Sequence, residues 1–256
     1  MVARFMNQIP KIIHYCWFGH NKLSISSKKY IRGWKKKCPD YKIIRWSENN
    51  FNVNKFMFTK KNYNDHNWAA VSDFVRLYEL YKFGGIYLDT DVQIIKPLDN
   101  LLSNLSFIGM EDYGVINNGL IYGTVPKDKN VYNLLKIYLR IGKMKNYYKY
   151  SLDEVHIVTT YFHKLGFQYN NKLQKVGGCT IYPIDYFCPE KYKSKEINIT
   201  NNTYTIHHYF GSWTNKNMND EQIINFFIRK YVRKILGTRL FLLLYRKHMY
   251  RKKGNM

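Results

Sequence analysis

The chain has 256 residues, of which 45% are hydrophobic and 17% aromatic. This length allows one substantial core, and this composition excludes an intrinsically disordered protein. Forty-one Lys and Arg outnumber 18 Asp and Glu, so the formal net charge is +23. Such a charge attracts polyanions or anionic lipid surfaces. Because the sequence contains no recognised nucleic-acid-binding motif, nucleic acid is not the expected partner.

Cysteine usage and the N-terminus both favour a cytoplasmic protein. Cys16, Cys38, Cys179 and Cys188 are far apart and form no CxxC pair. They are therefore expected to be buried, reduced thiols rather than a disulfide framework or a zinc site. No apolar segment follows Met1, so no signal peptide is predicted.

The chain begins with a predicted strand, helix and strand. Nearly continuous apolar character predicts a buried first strand over residues 9–18, and residues 41–46 form the second. The helix between them is expected to begin at a cap, either Ser26 or Ser27, and to stop before Pro39.

The next elements continue this alternation. A short helix is predicted over residues 49–60, a longer helix from a cap at Asp65 or Asn67 to Phe83, and a third strand over residues 86–95. Alternating strands and helices predict a mainly parallel α/β sheet with right-handed crossovers. Ligands bind such sheets beyond the carboxyl ends of the strands.

The later part of the chain is predicted in less detail. Further strands are expected over residues 107–110, 120–122 and 180–183, and amphipathic helices over residues 131–141 and 152–165. One domain is predicted over residues 1–220, followed by a basic tail over residues 221–256.

Asp89 and Asp91 end the third predicted strand. Residues two apart on an extended strand face the same side, so both carboxylates are expected to project together. Ile86 and Leu88 then face the core. A carboxylate pair suits a divalent cation that bridges to phosphates. The alternative is local hydrogen bonding, which Asp often provides at strand ends and turns.

Asp73 and Arg76 lie three residues apart on the preceding helix, so they share one face. The alternative to a functional role is a surface ion pair, but the helix is apolar over most of its circumference. Gly84 and Gly85 follow this helix and allow the chain to reverse tightly, because glycine readily adopts positive φ.

Three runs taken together resemble glycosyltransferase family 32. They are IPKIIHYCWFG at residues 9–19, SDFVR at residues 72–76 and GGIYLDTD at residues 84–91. This family has a sugar-binding DXD region and includes bacterial capsular polysaccharide and lipopolysaccharide transferases. The chain is also similar, more distantly, to the glucosyltransferase domains of large clostridial toxins. The resemblance covers about residues 7–125, and a weaker match returns at residues 207–213.

The resemblance implies a GT-A type, Rossmann-like fold and a nucleotide-diphosphate sugar donor. It also implies Mn²⁺ or Mg²⁺ held by Asp89, Asp91 and a late histidine, with His208 preferred to His207. Asp73, Arg76, Asp89 and Asp91 become the expected catalytic residues. The expected nucleotide-sugar contacts are His14, Tyr15, Trp17, Gly19, Asp73, Arg76, Gly85, Tyr87, Asp89, Asn117, Asn118, Ser212 and Trp213.

Two positions leave alternatives open or depart from the family. Asn117 and Asn118 precede Gly119, and Asn-Gly equally favours an ordinary turn. Family members often carry a Thr-Gly-Pro segment where this chain has Val-Thr-Thr-Tyr at residues 158–161.

Residues 223–253 interleave apolar with basic side chains. They contain no apolar run of roughly 20 residues, the length needed to cross a bilayer. The pattern is typical of a helix lying in the membrane interface, which predicts a cytoplasmic protein peripheral to the inner face of the cell membrane. The alternative is a terminal helix packed on the domain with a solvated basic face.

The sequence therefore predicts a metal-dependent, retaining glycosyltransferase. It is expected to move a hexose to a hydroxyl of a saccharide acceptor, possibly a lipid-linked one, in capsule or O-antigen biosynthesis. The alternatives are a nucleotide-sugar hydrolase or phosphotransferase, and a non-catalytic basic protein that binds membrane or nucleic acid.

Overall fold

The computed structural model describes residues 8–144, 154–191 and 194–209, which form both strands and helices. In chain order the elements are β1 (Ile12–Cys16), α1 (Ile25–Lys37), β2 (Lys42–Trp46), α2 (Met57–Asn64), α3 (Trp68–Phe83), β3 (Gly85–Tyr87), β4 (Val92–Ile94), β5 (Ser106–Asp112), β6 (Val115–Thr124), α4 (Lys129–Lys143), α5 (Glu154–Lys164), β7 (Gln174–Val176), β8 (Cys179–Tyr182), α6 (Ile184–Phe187) and β9 (Thr205–His207).

Seven strands form the central sheet in the order β2-β1-β3-β6-β5-β8-β7. β1 runs parallel to both β2 and β3, and β5 runs parallel to β8. The other three pairs in this sheet are antiparallel. β4 and β9 pair antiparallel in a separate two-stranded sheet. The predicted α/β fold is confirmed, with parallel pairing among β1, β2 and β3 and between β5 and β8.

Two hydrophobic clusters form the core. Ile86 belongs to one and its neighbour Tyr87 to the other, as expected because successive side chains on a strand point to opposite faces. Trp34 of α1 is fully buried, and its indole Nε1–H donates to the Val92 carbonyl at 2.8 Å. Burial of such a side chain stabilises the fold by roughly 2–3 kcal/mol. Trp34 thus joins α1 to β4.

The predicted third strand is divided in the structure. β3 ends at Tyr87, β4 begins at Val92, and a turn separates them in which the Val92 N–H donates to the Asp89 carbonyl at 3.1 Å. Asp89 and Asp91 therefore lie in a turn and not on one extended strand, because β4 leaves the central sheet to pair with β9.

The N-terminal cap of α3 is one that the sequence predicts, whereas the cap of α1 is a different serine from the two predicted. α3 begins after Asn67, whose side chain accepts the Ala70 N–H, and it ends at Gly84 with φ +64°. α1 begins earlier than predicted, because Ser24 accepts the Ser27 N–H at 3.0 Å. A short helix is predicted over residues 49–60, whereas in the structure the helix is α2, which begins at Met57 and ends at Asn64.

The four cysteines are buried and free, as predicted. Among the residues that the structure describes, no helix combines the length and apolarity needed to cross a bilayer. The predicted domain boundary at residue 220 and the basic tail lie outside the described residues.

Candidate active site

Asp89, Asp91 and His207 bring their ligand atoms within 4.8 Å of one another. The two aspartates lie in the turn between β3 and β4, and His207 lies on β9 directly opposite Val92. The His207 Nε2 is 3.3 Å from the Asp91 Oδ1. We call these three side chains the acidic cluster.

The donor chemistry of the acidic cluster fits a divalent cation. Carboxylate oxygens suit Mg²⁺ and Mn²⁺, and an imidazole adds a ligand that manganese also accepts. Partial burial raises the pKa of Asp89 despite the nearby Arg76 guanidinium. Burial acts to lower the pKa of His207, but the Asp91 carboxylate outweighs it and raises that pKa. Metal binding requires unprotonated carboxylate and imidazole ligands, so raising these pKa values makes cation binding weaken as the pH falls.

His208 contacts other side chains than those of the acidic cluster, so the geometry favours His207 over the preferred His208 as the third ligand. Its Nδ1 lies 2.7 Å from the Glu190 Oε2, and its Nε2 lies 3.0 Å from the Gln93 Oε1. Its ring stacks on Tyr30 with centroids 4.9 Å apart. The register of β9 against β4, which places His207 opposite Val92, determines which histidine faces the aspartates.

Arg76 connects the predicted catalytic side chains. Its Nη2 lies 2.9 Å from the Asp73 Oδ1 and 3.4 Å from the Asp89 Oδ1. Its Nη1 donates to the Asn118 Oδ1 at 2.8 Å, and its guanidinium lies over the Tyr87 ring. The Tyr87 hydroxyl also donates to the Asp89 Oδ1 at 2.8 Å. The Arg76 side chain is only 6% exposed, so the surface ion-pair alternative was wrong.

Asn117 and Asn118 lie within β6 rather than in a turn. The buried Asn118 reaches the site through Arg76, whereas the Asn117 Oδ1 accepts the Gly119 N–H at 2.6 Å. A Cβ at Gly119 would collide with the Asp89 carboxylate and the Arg76 guanidinium. Glycine is therefore required for β6 to pass this close to the site.

Glu154 is a buried acid of the site that the sequence reasoning missed. Its Oε1 accepts the Asn118 N–H at 2.9 Å. Burial raises the pKa of Glu154 well above its ordinary value, although Arg76 opposes the shift. No distinct signal in the sequence identifies it, because Glu154 follows Asp153 at the start of the predicted helix, where acidic residues are common.

The side chains of His14 and Tyr15 lie in the core, so these two residues could meet a nucleotide only through their backbone, and their role as nucleotide contacts stays a prediction. The His14 Nε2 lies 2.8 Å from the Gly84 carbonyl, and its Nδ1 accepts from the Trp46 indole. Burial lowers the pKa of His14 to about 4. Tyr15 packs edge-on against the Trp34 ring.

Gly85 also has a packing role. It has φ +99°, and a Cβ there would meet the Ile12 carbonyl oxygen and the His14 ring. It allows β3 to pass close to β1.

Gly19 lies at an aromatic cavity of about 450 Å³ beyond the carboxyl end of β1. The lining residues are Gly19, His20, Tyr63, Asn64, His66 and Trp68. The Gly19 N–H donates to the Glu48 Oε1 at 2.6 Å, and the partly exposed Trp17 donates its indole N–H to the Asn21 carbonyl at 2.7 Å. We call this the aromatic cavity. Gly19, a predicted nucleotide contact, lines this cavity, whereas Trp17 is not among the lining residues. Tyr63, His66 and Trp68 line it although the sequence did not single them out.

The remaining predicted contacts, Ser212 and Trp213, lie outside the described residues. The Val-Thr-Thr-Tyr segment at residues 158–161 belongs to α5, where Thr159 accepts the Ile116 N–H at 3.0 Å. This segment packs against β6.

Residues 25–108 match the family described as "Glycosyltransferase sugar-binding region containing DXD motif", which confirms the resemblance drawn from the sequence. Inositol phosphoceramide mannosyltransferase 3 of Schizosaccharomyces pombe (strain 972 / ATCC 24843) is 31% identical over 128 residues, covering 44% of this chain and 33% of the relative. Inositol phosphoceramide mannosyltransferase 1 of the same organism is 29% identical over 143 residues, covering 51% and 43%. The chain spans less than half the length of these relatives.

A solved structure titled "PaToxG Glycosyltransferase" shares the fold. It has a TM-score of 0.50 and 18% identity, covering 62% of this chain and 69% of that chain. At this identity the likeness is one of architecture, and it agrees with the GT-A type fold expected from the sequence.

Proposed function

We propose, on the premise that residues 25–108 belong to the glycosyltransferase family with a DXD sugar-binding region, that this chain transfers a hexose from a nucleotide-diphosphate sugar to an acceptor hydroxyl. The observation that carries the proposal is the convergence of Asp89, Asp91 and His207. These residues would hold Mn²⁺ or Mg²⁺, which as a Lewis acid neutralises the charge that develops on a departing diphosphate.

Asp73 and Arg76 would orient the donor sugar. The buried guanidinium fixes both the Asp73 and Asp89 carboxylates, so neither must be ordered when the donor binds. The Asp73 side chain remains 19% exposed, which leaves it able to accept from sugar hydroxyls. Fixing the reacting groups in advance contributes a large part of the rate in transfer reactions.

The aromatic cavity would receive the nucleobase. Its volume of about 450 Å³ lies within the usual range for small-molecule sites. Aromatic side chains such as Tyr63 and Trp68 offer faces for base stacking. Trp68 begins α3, the helix that also carries Asp73 and Arg76, so one helix would contact both the base and the sugar.

The proposal also covers the donor hexose, the acceptor and the stereochemistry of transfer. The two relatives are named for transfer of mannose to inositol phosphoceramide, which supports mannose as the first hexose to test and a phosphate-bearing, lipid-linked acceptor. The family implies retention of anomeric configuration. The acceptor hydroxyl would then attack from the face that the diphosphate leaves. Capsule or O-antigen biosynthesis is the proposed setting.

We further propose that the protein acts at the cytoplasmic face of the cell membrane. Support comes from the alternation of apolar and basic residues over 223–253, which is typical of interfacial helices. This segment lies outside the described residues.

Calorimetry with UDP and GDP, with and without Mn²⁺, tests the metal–diphosphate role. The Asp91→Asn variant is expected to lose Mn²⁺-dependent nucleotide binding by about a hundredfold, because it lacks one anionic ligand, and to lose transfer. The exposed Asp40→Asn variant, which removes an equal charge, should bind as the wild type does. A folded Asp91→Asn protein with undiminished binding would overturn the metal role.

Product analysis separates transfer from the hydrolase alternative. A panel of nucleotide sugars is incubated with and without a saccharide acceptor. Transfer predicts a lengthened saccharide that appears only with the acceptor. Free sugar released at an equal rate in both reactions would instead identify a hydrolase.

A further inference from the structure

A basic groove lies between α1 and β4. Five α1 residues at spacing i, i+1, i+4, i+7 and i+8 share one helix face, and β4 supplies the opposite wall of a cavity of about 190 Å³. The lining residues are Lys29, Tyr30, Gly33, Lys36, Lys37, Gln93 and Ile94. We call this the basic groove.

All the charged side chains of α1 are positive. The helix contains five lysines and one arginine but no acidic residue. The basic groove contains three exposed lysines, Lys29, Lys36 and Lys37. Within the described part of the chain, the ion pairs of Lys and Arg are formed by residues other than these three. Arg32 lies four residues before Lys36, and like charges at this spacing destabilise a helix. An anion bound at Lys36 would offset part of that repulsion.

Gly33 keeps the middle of the basic groove open. A Cβ built at Gly33 would meet no atom within 4 Å, so close packing does not require glycine at this position. Glycine also lowers helix stability relative to alanine. Its effect here is to leave space between the lysines, where a small group can approach the helix.

The basic groove adjoins the acidic cluster. Gln93 follows Asp91 by two residues, and its Oε1 lies 3.0 Å from the His208 Nε2. The His208 ring stacks on Tyr30, and the His208 N–H donates to the Asp91 carbonyl at 3.1 Å. A ligand held by the lysines would therefore lie one side chain away from the residues proposed to hold the donor.

We propose that the basic groove binds the phosphate group of the acceptor and so places the acceptor hydroxyl beside the donor sugar. This inference rests on the proposed function and adds the acceptor subsite to it. Lysine ammonium groups form charge-assisted hydrogen bonds with phosphate oxygens. The cavity volume suits a phosphate headgroup, while an attached lipid would remain outside the groove.

Two double variants with equal charge change test the proposal. Lys29→Gln/Lys36→Gln alters the groove face, whereas Lys28→Gln/Lys35→Gln has the same spacing on another face of α1. The probe is glycerophosphoinositol, a soluble phosphodiester, titrated by calorimetry at low salt. EDTA keeps divalent ions out, so the acidic cluster repels the probe. myo-Inositol serves as the uncharged comparison.

The wild type and the Lys28/Lys35 variant are expected to bind the phosphodiester alike, and the Lys29/Lys36 variant about tenfold more weakly. Equal weakening in both variants would show only general anion attraction and would overturn the proposal. Wild-type binding no stronger than that of myo-inositol would also overturn it. Nucleotide titration with Mn²⁺ should be unchanged in both variants, which shows that both are folded and separates this test from that of the donor site.

Discussion

His207 and His208 are adjacent in sequence but have different surroundings. His207 contacts Asp91 in the acidic cluster, whereas His208 lies between Glu190 and Gln93. His207→Gln is therefore expected to weaken Mn²⁺ binding by about ten- to a hundredfold, and His208→Gln to leave it within about threefold. Mn²⁺ titration followed by electron paramagnetic resonance measures both. The reverse order of effects would assign the ligand role to His208.

His14 makes stability depend on pH. Its folded-state pKa is about 4, below the ordinary 6.5, because it is buried. The unfolded chain therefore binds the proton more readily, so the stabilisation is complete above pH 6.5 and is lost as the pH falls toward 4. The loss amounts to about 3 kcal/mol.

Urea unfolding between pH 7.5 and 4.5 measures the effect of His14. The His14→Gln variant should show a flatter dependence of unfolding free energy on pH, and the exposed His20→Gln should follow the wild type. Glu79, whose pKa burial raises to about 7, contributes with opposite sign in all three proteins, so the difference between slopes isolates His14. Identical slopes would contradict the buried, neutral imidazole.

At the scale of elements, α1 holds β4 in position. The Trp34 indole donates to the Val92 carbonyl, one residue after Asp91. Trp34→Phe should lower the unfolding free energy by about 1–3 kcal/mol, from a lost hydrogen bond and a small cavity. It should also weaken Mn²⁺ binding, because the turn that carries Asp91 loses support. Lys28→Gln on the same helix is the control, and unchanged metal affinity in Trp34→Phe would show that β9 alone positions the turn.

Elements with local signals were predicted well from the sequence. α3 has a capping asparagine at one end and glycine at the other, and the apolar pattern between them specifies the helix. Elements that depend on pairing with distant parts of the chain were predicted poorly. The turn at Asp89–Asp91 exists because β4 pairs with β9, which no local pattern reveals. The same pairing selects His207 over His208. The core position of His14 likewise depends on its neighbours Trp46 and Gly84.

At the scale of the whole molecule, the candidate site extends beyond the region that matches the family. Residues 25–108 include Asp73, Arg76 and both aspartates of the acidic cluster. Asn118 and His207 come from later in the chain, and only the three-dimensional structure brings them to the same place.

The basic tail gives a prediction about location. A chain truncated after Asn219 loses residues 223–253 and should co-sediment with anionic vesicles much less than the full chain, since each Lys or Arg near such a surface contributes about 1 kcal/mol. Neutral phosphatidylcholine vesicles serve as the comparison. Undiminished co-sedimentation of the truncated chain would assign membrane binding to the rest of the protein.

The antiparallel pairing of β4 with β9 also sets the order in which the site is completed during synthesis. His207 follows Asp91 by 116 residues, so at about 5–20 residues per second translation reaches the histidine roughly 6–23 s after the aspartate. Throughout that interval the nascent polypeptide exposes two carboxylates without their imidazole partner. Under the proposed function, full metal affinity would therefore arise only after β9 has emerged from the ribosome.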